Sequence, residues 1–359
     1  MDLEHEIRQI WHECFPADTK EWMDMYFSRE YMPERALVER DEDNGEVVSS
    51  LLLQPYRMTF HGDMVGASYV SGAATRRRYR GRGYMGQLMK KALKVSAGRG
   101  DMLCMLVPAD SRLYLYYARL GFSPVFYTRL MRYTSLHVFQ CEGSYQDVAS
   151  DELSRLYAAL SRMMEARECC VQHSRSQFDT IMADCRLSGG VFAAVADGSG
   201  EVCAMAWGMP EADNDVVRVT ELLSTSDDAA TAVLAGLQKQ SRGKALTVMG
   251  MAPDDNSHWL TVRGMARLTR VDQAMAIVAR ACPALKCTVR VADPVIDSNH
   301  AIYVIDRGDV NVLPYDTADI KCDIDVSVSV LADMLFSSSA IGEITGLPAV
   351  RPHLSLMLE

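Results

Sequence analysis

The spacing of apolar and polar positions changes repeatedly along the chain, and the changes predict a mixed α/β fold. Apolar residues recur every three or four positions over 3–14 and 19–30, which predicts two helices. Strand-like runs follow, and His61-Gly62-Asp63 is a plausible hairpin turn between two of them. The elements that we expect in this first part are strands at 35–39, 46–60 and 64–75, a helix at 83–97, a strand at 102–107, a helix at 111–120 and a strand pair near 122–133. They predict a first α/β domain over residues 1–143.

The same order of elements returns further along, so we predict an internal duplication over residues 144–270. The repeated elements are helices at 151–168 and 174–186, strands at 191–196, 201–208 and 216–223, a helix at 227–240 and a strand at 245–251. The pattern changes again in a third part, residues 271–359. It reads as a helix, strands at 286–291, 301–306 and 309–313, an alternating stretch at 321–328, and a helix over 330–336 that Ser329 can cap.

Composition narrows the class of protein. The chain has 359 residues, too many for one ordinary core, with 48% hydrophobic and 23% charged residues, as in ordinary globular proteins. No run of about eighteen apolar residues predicts a membrane span, and the first residues lack the apolar core of a signal peptide. The ten cysteines include no Cys-x-x-Cys pair. We therefore expect a reduced, cytoplasmic protein with buried thiols and no metal site.

The stretch with the most distinctive chemistry is the turn Arg80-Gly81-Arg82-Gly83, which follows a strand and leads into a helix. Amides at a helix start are unpaired and lie at the positive end of the helix dipole. Glycine allows a ligand to approach the main chain closely. The junction is therefore suited to binding a phosphate or pyrophosphate.

This stretch has three other interpretations. Five arginines over 76–82 could form a nucleic-acid patch, but a net charge of −10 opposes a polyanionic partner. No Gly-Lys-Ser/Thr follows, so the Walker pattern fails. Gly81, Gly83 and Gly86 fit the spacing of a dinucleotide fingerprint, yet two strands precede the turn and Asp101 is the only acidic candidate downstream. That match is weak.

A strand, then Arg-x-x-Gly-x-small, then a helix, resembles the acyl-CoA pyrophosphate loop of the GNAT N-acetyltransferases. Here the loop is Arg80-Gly81-Arg82-Gly83-Tyr84-Met85, and Met85 departs from the usual Gly or Ala. A second segment supports the resemblance, since Tyr117 is followed by Leu120-Gly121-Phe122 at the distance that the family shows. The whole chain resembles the enhanced-intracellular-survival (Eis) type, which has an active GNAT domain, a degenerate one and a sterol-carrier-protein-like domain.

The resemblance implies acetyl-CoA as cosubstrate and a set of site residues. The pantetheine would pair with the main chain of the strand at Ala73, Ala74 and Thr75. The pyrophosphate would take amides around Arg80, Gly81, Arg82, Gly83, Tyr84 and Met85. Tyr117 would be the general acid toward the departing thiolate, and the α-carboxyl of Glu359 would be the general base. The resemblance also implies a homo-oligomer, trimer or hexamer.

The chemistry of acetyl transfer is consistent with these roles. An alkylammonium with a pKa near 10 must lose a proton before attack, which a carboxylate or an ordered water can accept. An amide at Ala73 to Thr75 could stabilise the oxyanion, and a tyrosine with a pKa of about 10 matches a thiolate leaving group. The alternative for Tyr117 is a packing tyrosine, and the alternative for Glu359 is a frayed chain end.

We expect a primary amine of a small cationic molecule, aminoglycoside- or polyamine-like, as the acceptor. In the second domain Asp227 and Asp228 stand at the helix start, where they would repel a pyrophosphate, so no cofactor is expected there. Two other functions remain as alternatives. One is a binding protein for acyl-CoA or an apolar ligand with reduced catalysis, and the other is an aminoacyl transferase that uses tRNA, for which the chain offers no further basic signal.

Overall fold

The computed structural model describes residues 2–211, 215–254 and 259–357, and these residues form an alternation of helices and strands. The α-helices are α1 (Leu3–Cys14), α2 (Lys20–Glu30), α3 (Tyr84–Gly98), α4 (Ser111–Ala118), α5 (Leu153–Glu165), α6 (Arg175–Leu187), α7 (Asp227–Gln240), α8 (Val271–Ala281), α9 (Val328–Leu335) and α10 (Ser339–Thr345). Short 3₁₀ turns lie at Pro33–Arg35, Arg77–Tyr79 and Asp297–Asn299.

The predicted strands are present in the predicted order, and three others, at 146–147, 171–172 and 260–268, were not predicted. The strands are β1 (Ala36–Arg40), β2 (Val47–Phe60), β3 (Asp63–Thr75), β4 (Leu103–Leu106), β5 (Ser123–Tyr133), β6 (Gln146–Asp147), β7 (Val171–Gln172), β8 (Val191–Ala196), β9 (Val202–Pro210), β10 (Val216–Ser224), β11 (Ala245–Met251), β12 (Leu260–Leu268), β13 (Cys287–Ala292), β14 (Ala301–Asp306), β15 (Asp309–Pro314) and β16 (Ile324–Ser327). The mixed α/β class predicted from the sequence is confirmed.

Two local predictions were wrong. The strand pair near 122–133 is a single strand, β5, because no turn interrupts its eleven residues. The helix predicted to follow Ser329 begins earlier, at Val328, and its cap is Ser327, whose hydroxyl accepts a hydrogen bond from the Val330 amide at 3.4 Å. The earlier start places Val328 in the core, where it is fully buried.

The chain divides into two compact units. The first contains the described residues up to Phe126 together with Val262–Pro352, and the second contains Tyr127–Thr261 and the segment from His353. These units group residues by packing, so the division into three domains at 143 and 270 stays a prediction.

In the first unit, a sheet in the order β1-β2-β3-β4-β12 carries helices on both faces. Only β3 and β4 of this series run parallel. Successive residues of a strand face opposite sides, and on β2 Leu51 and Leu53 pack against α3 while Leu52 packs against α1 and α2. Leu88, Met89 and Ala92 of α3 belong to the same buried cluster as Leu51 and Leu53, so they attach this helix to the sheet.

The first unit also contains a second, four-stranded sheet in the order β15-β14-β13-β16. An ion pair that is completely buried lies beside it, because Arg267 Nη2 is 2.6 Å from Asp293 Oδ1 and both side chains are inaccessible to solvent. Arg267 Nε also donates to the Leu120 carbonyl at 2.8 Å. This links β12 to the end of α4, the helix that carries Tyr117.

In the second unit, the strands follow the order β5-β11-β10-β9-β8-β6, with β10 and β11 parallel. Helix α7 packs on one face and α5 and α6 on the other. Neighbouring residues of β8 show this, since Ala193 belongs to the α7 core and Ala194 to the core around Trp207.

The segment His353–Met357 is buried in the second unit. The His353 amide donates to the Cys169 carbonyl at 2.8 Å, and His353 Nε2 lies 2.8 Å from Glu221 Oε2. His173 Nε2 donates to the Ser355 carbonyl at 2.9 Å. Met357 packs among the core side chains around Trp207.

Candidate active site

Strand β3 separates from its neighbour β4 at the middle of its length. The parallel pairs run from Ala67 to Tyr69, while the pairing with β2 continues to Thr75 with a register shift after Ser71. Gly72 lies at this shift with φ +59°, and a Cβ at this position would overlap the Trp11 ring. The bulge therefore requires glycine, and it leaves the end of β3 without a strand partner on the β4 side in the described part of the chain.

The turn after β3 places glycines where the backbone is left-handed. Gly81 has φ +78° and Gly83, the residue before α3, has φ +88°, and neither would meet another atom within 4 Å if it carried a Cβ. No side chain of the described residues caps the start of α3. Its first amides therefore face an open space, as an anion at a helix N-terminus requires.

The end of β3, this turn and α4 enclose a cleft of about 660 Å³. Among the residues named from the sequence, those that line it are Ala73, Ala74, Thr75, Arg80, Gly81, Gly83, Tyr84, Met85 and Tyr117. Arg82 does not line the cleft; its guanidinium carbon lies 5.1 Å from the centre of the Tyr79 ring. Glu359 lies outside the described residues. The role of each of these residues stays a prediction.

Two of the arginines around the turn pair with carboxylates, and a third lines the cleft. Arg76 pairs with Glu13 at 3.3 Å and with Glu46 at 3.1 Å, and Arg78 also pairs with Glu46. Arg80 instead lines the cleft and donates to the Thr75 carbonyl at 3.2 Å. It therefore joins the end of β3 to the turn and keeps a positive charge at the cleft.

Tyr117 is almost completely buried at the inner wall. Desolvation, with smaller contributions from Tyr116 and Cys104, raises its pKa to about 12. Its ring contacts Tyr116 and Phe122 edge-on, with ring centres 5.2 Å and 5.9 Å away. The phenol is therefore protonated throughout the neutral pH range.

Several lining residues were missed by sequence reasoning. The most informative is Tyr116, whose buried hydroxyl has no hydrogen-bond partner among the described residues. Cys14 and Phe15 reach the cleft from the end of α1, and Cys14 Sγ lies 3.4 Å from the Thr75 carbonyl oxygen. Tyr116 could have been noticed from its place beside Tyr117. Cys14 had no local signal, because the contact spans 61 positions of sequence.

Comparison with known families agrees with this geometry. Residues 2–125 match the family model of the acetyltransferase (GNAT) domain. The chain carries a GNAT acetyltransferase domain. The prediction of an acetyltransferase enzyme is thereby confirmed, and a GNAT domain implies an acyl-CoA cosubstrate and an amine acceptor. No curated protein matches the chain in sequence.

Solved structures resemble the acetyltransferase over nearly its whole length. A GCN5-related N-acetyltransferase from Anabaena variabilis ATCC 29413 has a TM-score of 0.74 at 14% identity, covering 96% of this chain and 91% of its own. Eis1 from Mycobacterium abscessus has a TM-score of 0.71 at 15% identity, covering 96% and 90%. A probable N-acyltransferase of unknown function from Enterococcus faecalis V583 has a TM-score of 0.73 at 15% identity, covering 97% and 94%. At these identities the likeness shows the fold.

Other predictions for the acetyltransferase remain predictions. These are the tandem arrangement of GNAT domains, the sterol-carrier-like domain and the oligomeric state. No helix within the described ranges is both long and apolar enough to cross a membrane. In the same residues, no group of three or more metal-binding side chains comes together.

Proposed function

We propose that the acetyltransferase transfers the acetyl group of acetyl-CoA directly to a primary amine of a small cationic molecule, such as a polyamine or an aminoglycoside. One observation carries the proposal. The end of β3 beyond its last pair with β4, the uncapped start of α3 and the buried Tyr117 all border the same cleft.

The binding half of the proposal uses the backbone. Ala73–Thr75 offer main-chain groups to the pantetheine, and the amides from Arg80 to Met85 hold the pyrophosphate. The open space at Gly81 and Gly83 supports this role, because both glycines line the cleft and no other atom lies within 4 Å of where their β-carbons would be. Arg80 adds a positive charge beside these amides, which strengthens the attraction for an anion.

The chemical half uses Tyr117 and a base. Acetyl-CoA supplies an acetyl thioester when it is bound. The acceptor amine loses a proton to the base, for which we propose the α-carboxyl of Glu359, and forms the C–N bond as the C–S bond breaks. Tyr117 donates its proton to the departing sulfur. Its raised pKa keeps the phenol protonated at neutral pH, as a proton donor must be.

The proposed class of acceptor, a small cationic amine, is supported by the net charge of the protein. The net charge of −10 raises the concentration of cations near the protein, although salt screens this attraction. Cytoplasmic location and assembly into a homo-oligomer belong to the same proposal.

The proposal is tested by following thiol release from acetyl-CoA in the presence of polyamines and aminoglycosides, with mass spectrometry of the acetylated amine. A Met85→Asp variant places a carboxylate at the cleft beside the proposed pyrophosphate site, and we expect KM for acetyl-CoA to rise by on the order of tenfold. An acidic residue in the first turn of a helix does not weaken the helix.

Gln87→Asp is the matched control, because Gln87 is exposed in the same turn and does not line this cleft. An equal rise of KM in both variants would contradict the assigned pyrophosphate site. Binding of CoA without thiol release toward any amine would instead favour the binding-protein alternative.

A further inference from the structure

The second unit contains a cavity that is larger than the candidate active-site cleft. Its volume is about 940 Å³, within the range of small-molecule sites. It opens where the parallel strands β10 and β11 separate, since their pairing ends at Val219 and Val248 and the following residues Leu222–Ser224 and Gly250–Met251 line the cavity. Within its own unit, it occupies the same topological position as the acyl-CoA cleft of the first unit.

The start of α7, which borders this cavity, is unsuited to a pyrophosphate. The Ser226 hydroxyl already accepts from the Ala229 amide at 3.1 Å. The Asp228 carboxylate accepts from the amides of Glu142 and Gly143, at 2.8 and 2.9 Å. Asp227 adds an exposed negative charge to the lining. This cavity therefore differs in chemistry from the CoA cleft, although both lie at diverging parallel strands.

The wall is mixed, with polar groups alongside an apolar and aromatic part. Tyr133 and His137 both contact Phe139, with ring centres 4.9 and 4.5 Å away, and these three rings line one side. Leu234 of α7 and Met251 of β11 line the cavity as well. Such a wall suits the apolar body of a ligand.

One cation at this wall has no counter-ion. In the described part of the chain, Arg129 pairs with no carboxylate: its Nη2 lies 2.7 Å from the Met131 sulfur, a weak acceptor, and its buried Nε has no partner. Arg167, which also lines the cavity, differs because Glu221 neutralises it at 3.0 Å. A half-buried guanidinium beside apolar side chains is stabilised by an anion that accepts from it.

We propose that this cavity binds a small amphipathic carboxylate, with the carboxylate on the guanidinium of Arg129 and the apolar body against Phe139, Leu234 and Met251. A monoanion fits better than a phosphate dianion, because Glu221 already neutralises Arg167 and Asp227 opposes further negative charge. The proposal is independent of acetyl transfer.

Gly250 keeps the cavity open. It pairs with Arg129 across β5 and β11, so a side chain at position 250 would face the same side of the sheet as Arg129. A Cβ there would meet only the mobile end of Met131, at 3.1 Å, and the Arg129 carbonyl oxygen, at 3.8 Å. A Gly250→Leu change should therefore fold and fill the cavity.

The test is calorimetric titration of the full chain with decanoate, in the presence of saturating CoA to occupy the first cleft. We expect wild type to bind decanoate at least tenfold more tightly than 1-decanol, which has the same body without the charge. Arg129→Gln should weaken decanoate binding at least tenfold, and Gly250→Leu should abolish it.

Arg132→Gln is the matched control, because Arg132 is exposed on the same strand and does not line the cavity. It should leave binding unchanged, and melting curves should show that all variants are folded. The proposal is overturned if wild type does not bind decanoate, if decanol binds equally well, or if Arg129→Gln binds like Arg132→Gln. If Gly250→Leu proves unfolded, the Arg129 and Arg132 pair decides the question alone.

Discussion

At the scale of single residues, the candidate active site depends on groups whose surroundings change their chemistry. Tyr117 was selected from the sequence by its spacing to Leu120-Gly121-Phe122, with an expected pKa of about 10. Burial raises that pKa to about 12. The neighbouring Tyr116 hydroxyl also borders the cleft and has no partner within the described residues. The two phenols are therefore rival candidates for the acid.

Replacing each phenol by phenylalanine separates these roles. If Tyr117 donates the proton, Tyr117→Phe should lower kcat by about 10²-fold or more while the affinity for CoA changes little. Tyr116→Phe should have a much smaller effect on kcat. Steady-state kinetics together with direct CoA titration measure both quantities. A larger kcat loss in Tyr116→Phe would transfer the acid role to Tyr116, and equal losses of kcat and affinity in Tyr117→Phe would indicate packing.

A second residue-scale prediction concerns Gly72. A methyl group at this left-handed position would overlap the Trp11 ring, so Gly72→Ala should lower the free energy of unfolding by about 3 kcal/mol. Gly98→Ala is the control, because a Cβ on that helical glycine meets nothing within 4 Å, and it should be neutral or slightly stabilising. Denaturant unfolding measures both. Equal stabilities would mean that the bulge tolerates a side chain.

At the scale of elements, buried and exposed ion pairs connect segments that are distant in sequence. Arg267 on β12 holds the Leu120 carbonyl and pairs with Asp293 without access to solvent. Arg280 on α8 pairs with Asp63 at the start of β3 at 2.6 Å, where both side chains are about half exposed. The two pairs have the same distance, but only the Arg267–Asp293 pair is removed from water. We therefore expect the loss of each pair to lower the free energy of unfolding by a different amount.

Matched substitutions measure that difference. Asp293→Asn leaves Arg267 charged and buried without its partner, and should cost about 3 kcal/mol or more of stability. Asp63→Asn removes the exposed pair and should cost less than about 1 kcal/mol, because water screens it. Urea unfolding of the two variants is the measurement. Similar losses in both would show that the Asp293 site relaxes or admits water.

At the scale of the whole molecule, the segment His353–Met357 stabilises the fold through buried histidines. Burial lowers the pKa of His173 from 6.5 to about 4, so the native state resists protonation that the unfolded chain accepts. Stability from this group is complete above about pH 6.5 and is lost as the pH falls toward about 4. Arg167 and His353 beside Glu221 hold the pKa of that carboxyl below its usual range, so its contribution is lost in still more acid solution.

We therefore expect acid to weaken the fold in a defined range. The free energy of unfolding should fall by up to about 3 kcal/mol as the pH is lowered from neutral toward 4. A His173→Gln variant keeps an N–H donor for the Ser355 carbonyl but has no titrating group, so its stability should vary less with pH. Urea denaturation at several pH values compares them. A parallel decline in both proteins would assign the loss to other groups.

A last prediction concerns the end of the chain and rests on the role proposed for Glu359. Because Ser355, Leu356 and Met357 are buried, a deletion of five residues would remove core side chains. Deleting only Leu358 and Glu359 should lower turnover sharply while CoA affinity and melting temperature stay close to wild type. Unchanged turnover would remove Glu359 from the mechanism.

The amino-acid sequence was enough to predict most helices and strands and the turn that borders the cleft. These features could be predicted because apolar periodicity, glycine turns and the start of a helix depend on residues that are neighbours in the sequence. It therefore predicted β2, β3 and α3 to within a residue or two, and most lining residues from Ala73 to Met85. It predicted a break in β5 that the structure does not have, and it placed the cap of α9 at Ser329, whereas the cap is Ser327 and Val328 is buried.

Contacts between distant segments could not be predicted from the sequence and are seen in the folded structure. The pairing of Arg76 and Arg78 with Glu46, the contact of Cys14 with the Thr75 carbonyl and the raised pKa of Tyr117 all arise from residues far apart in sequence. The same holds for Arg129, which lines the cavity of the second unit without a carboxylate partner among the described residues. Burial and charge pairing depend on what surrounds a group in space, and no local pattern in the chain records that.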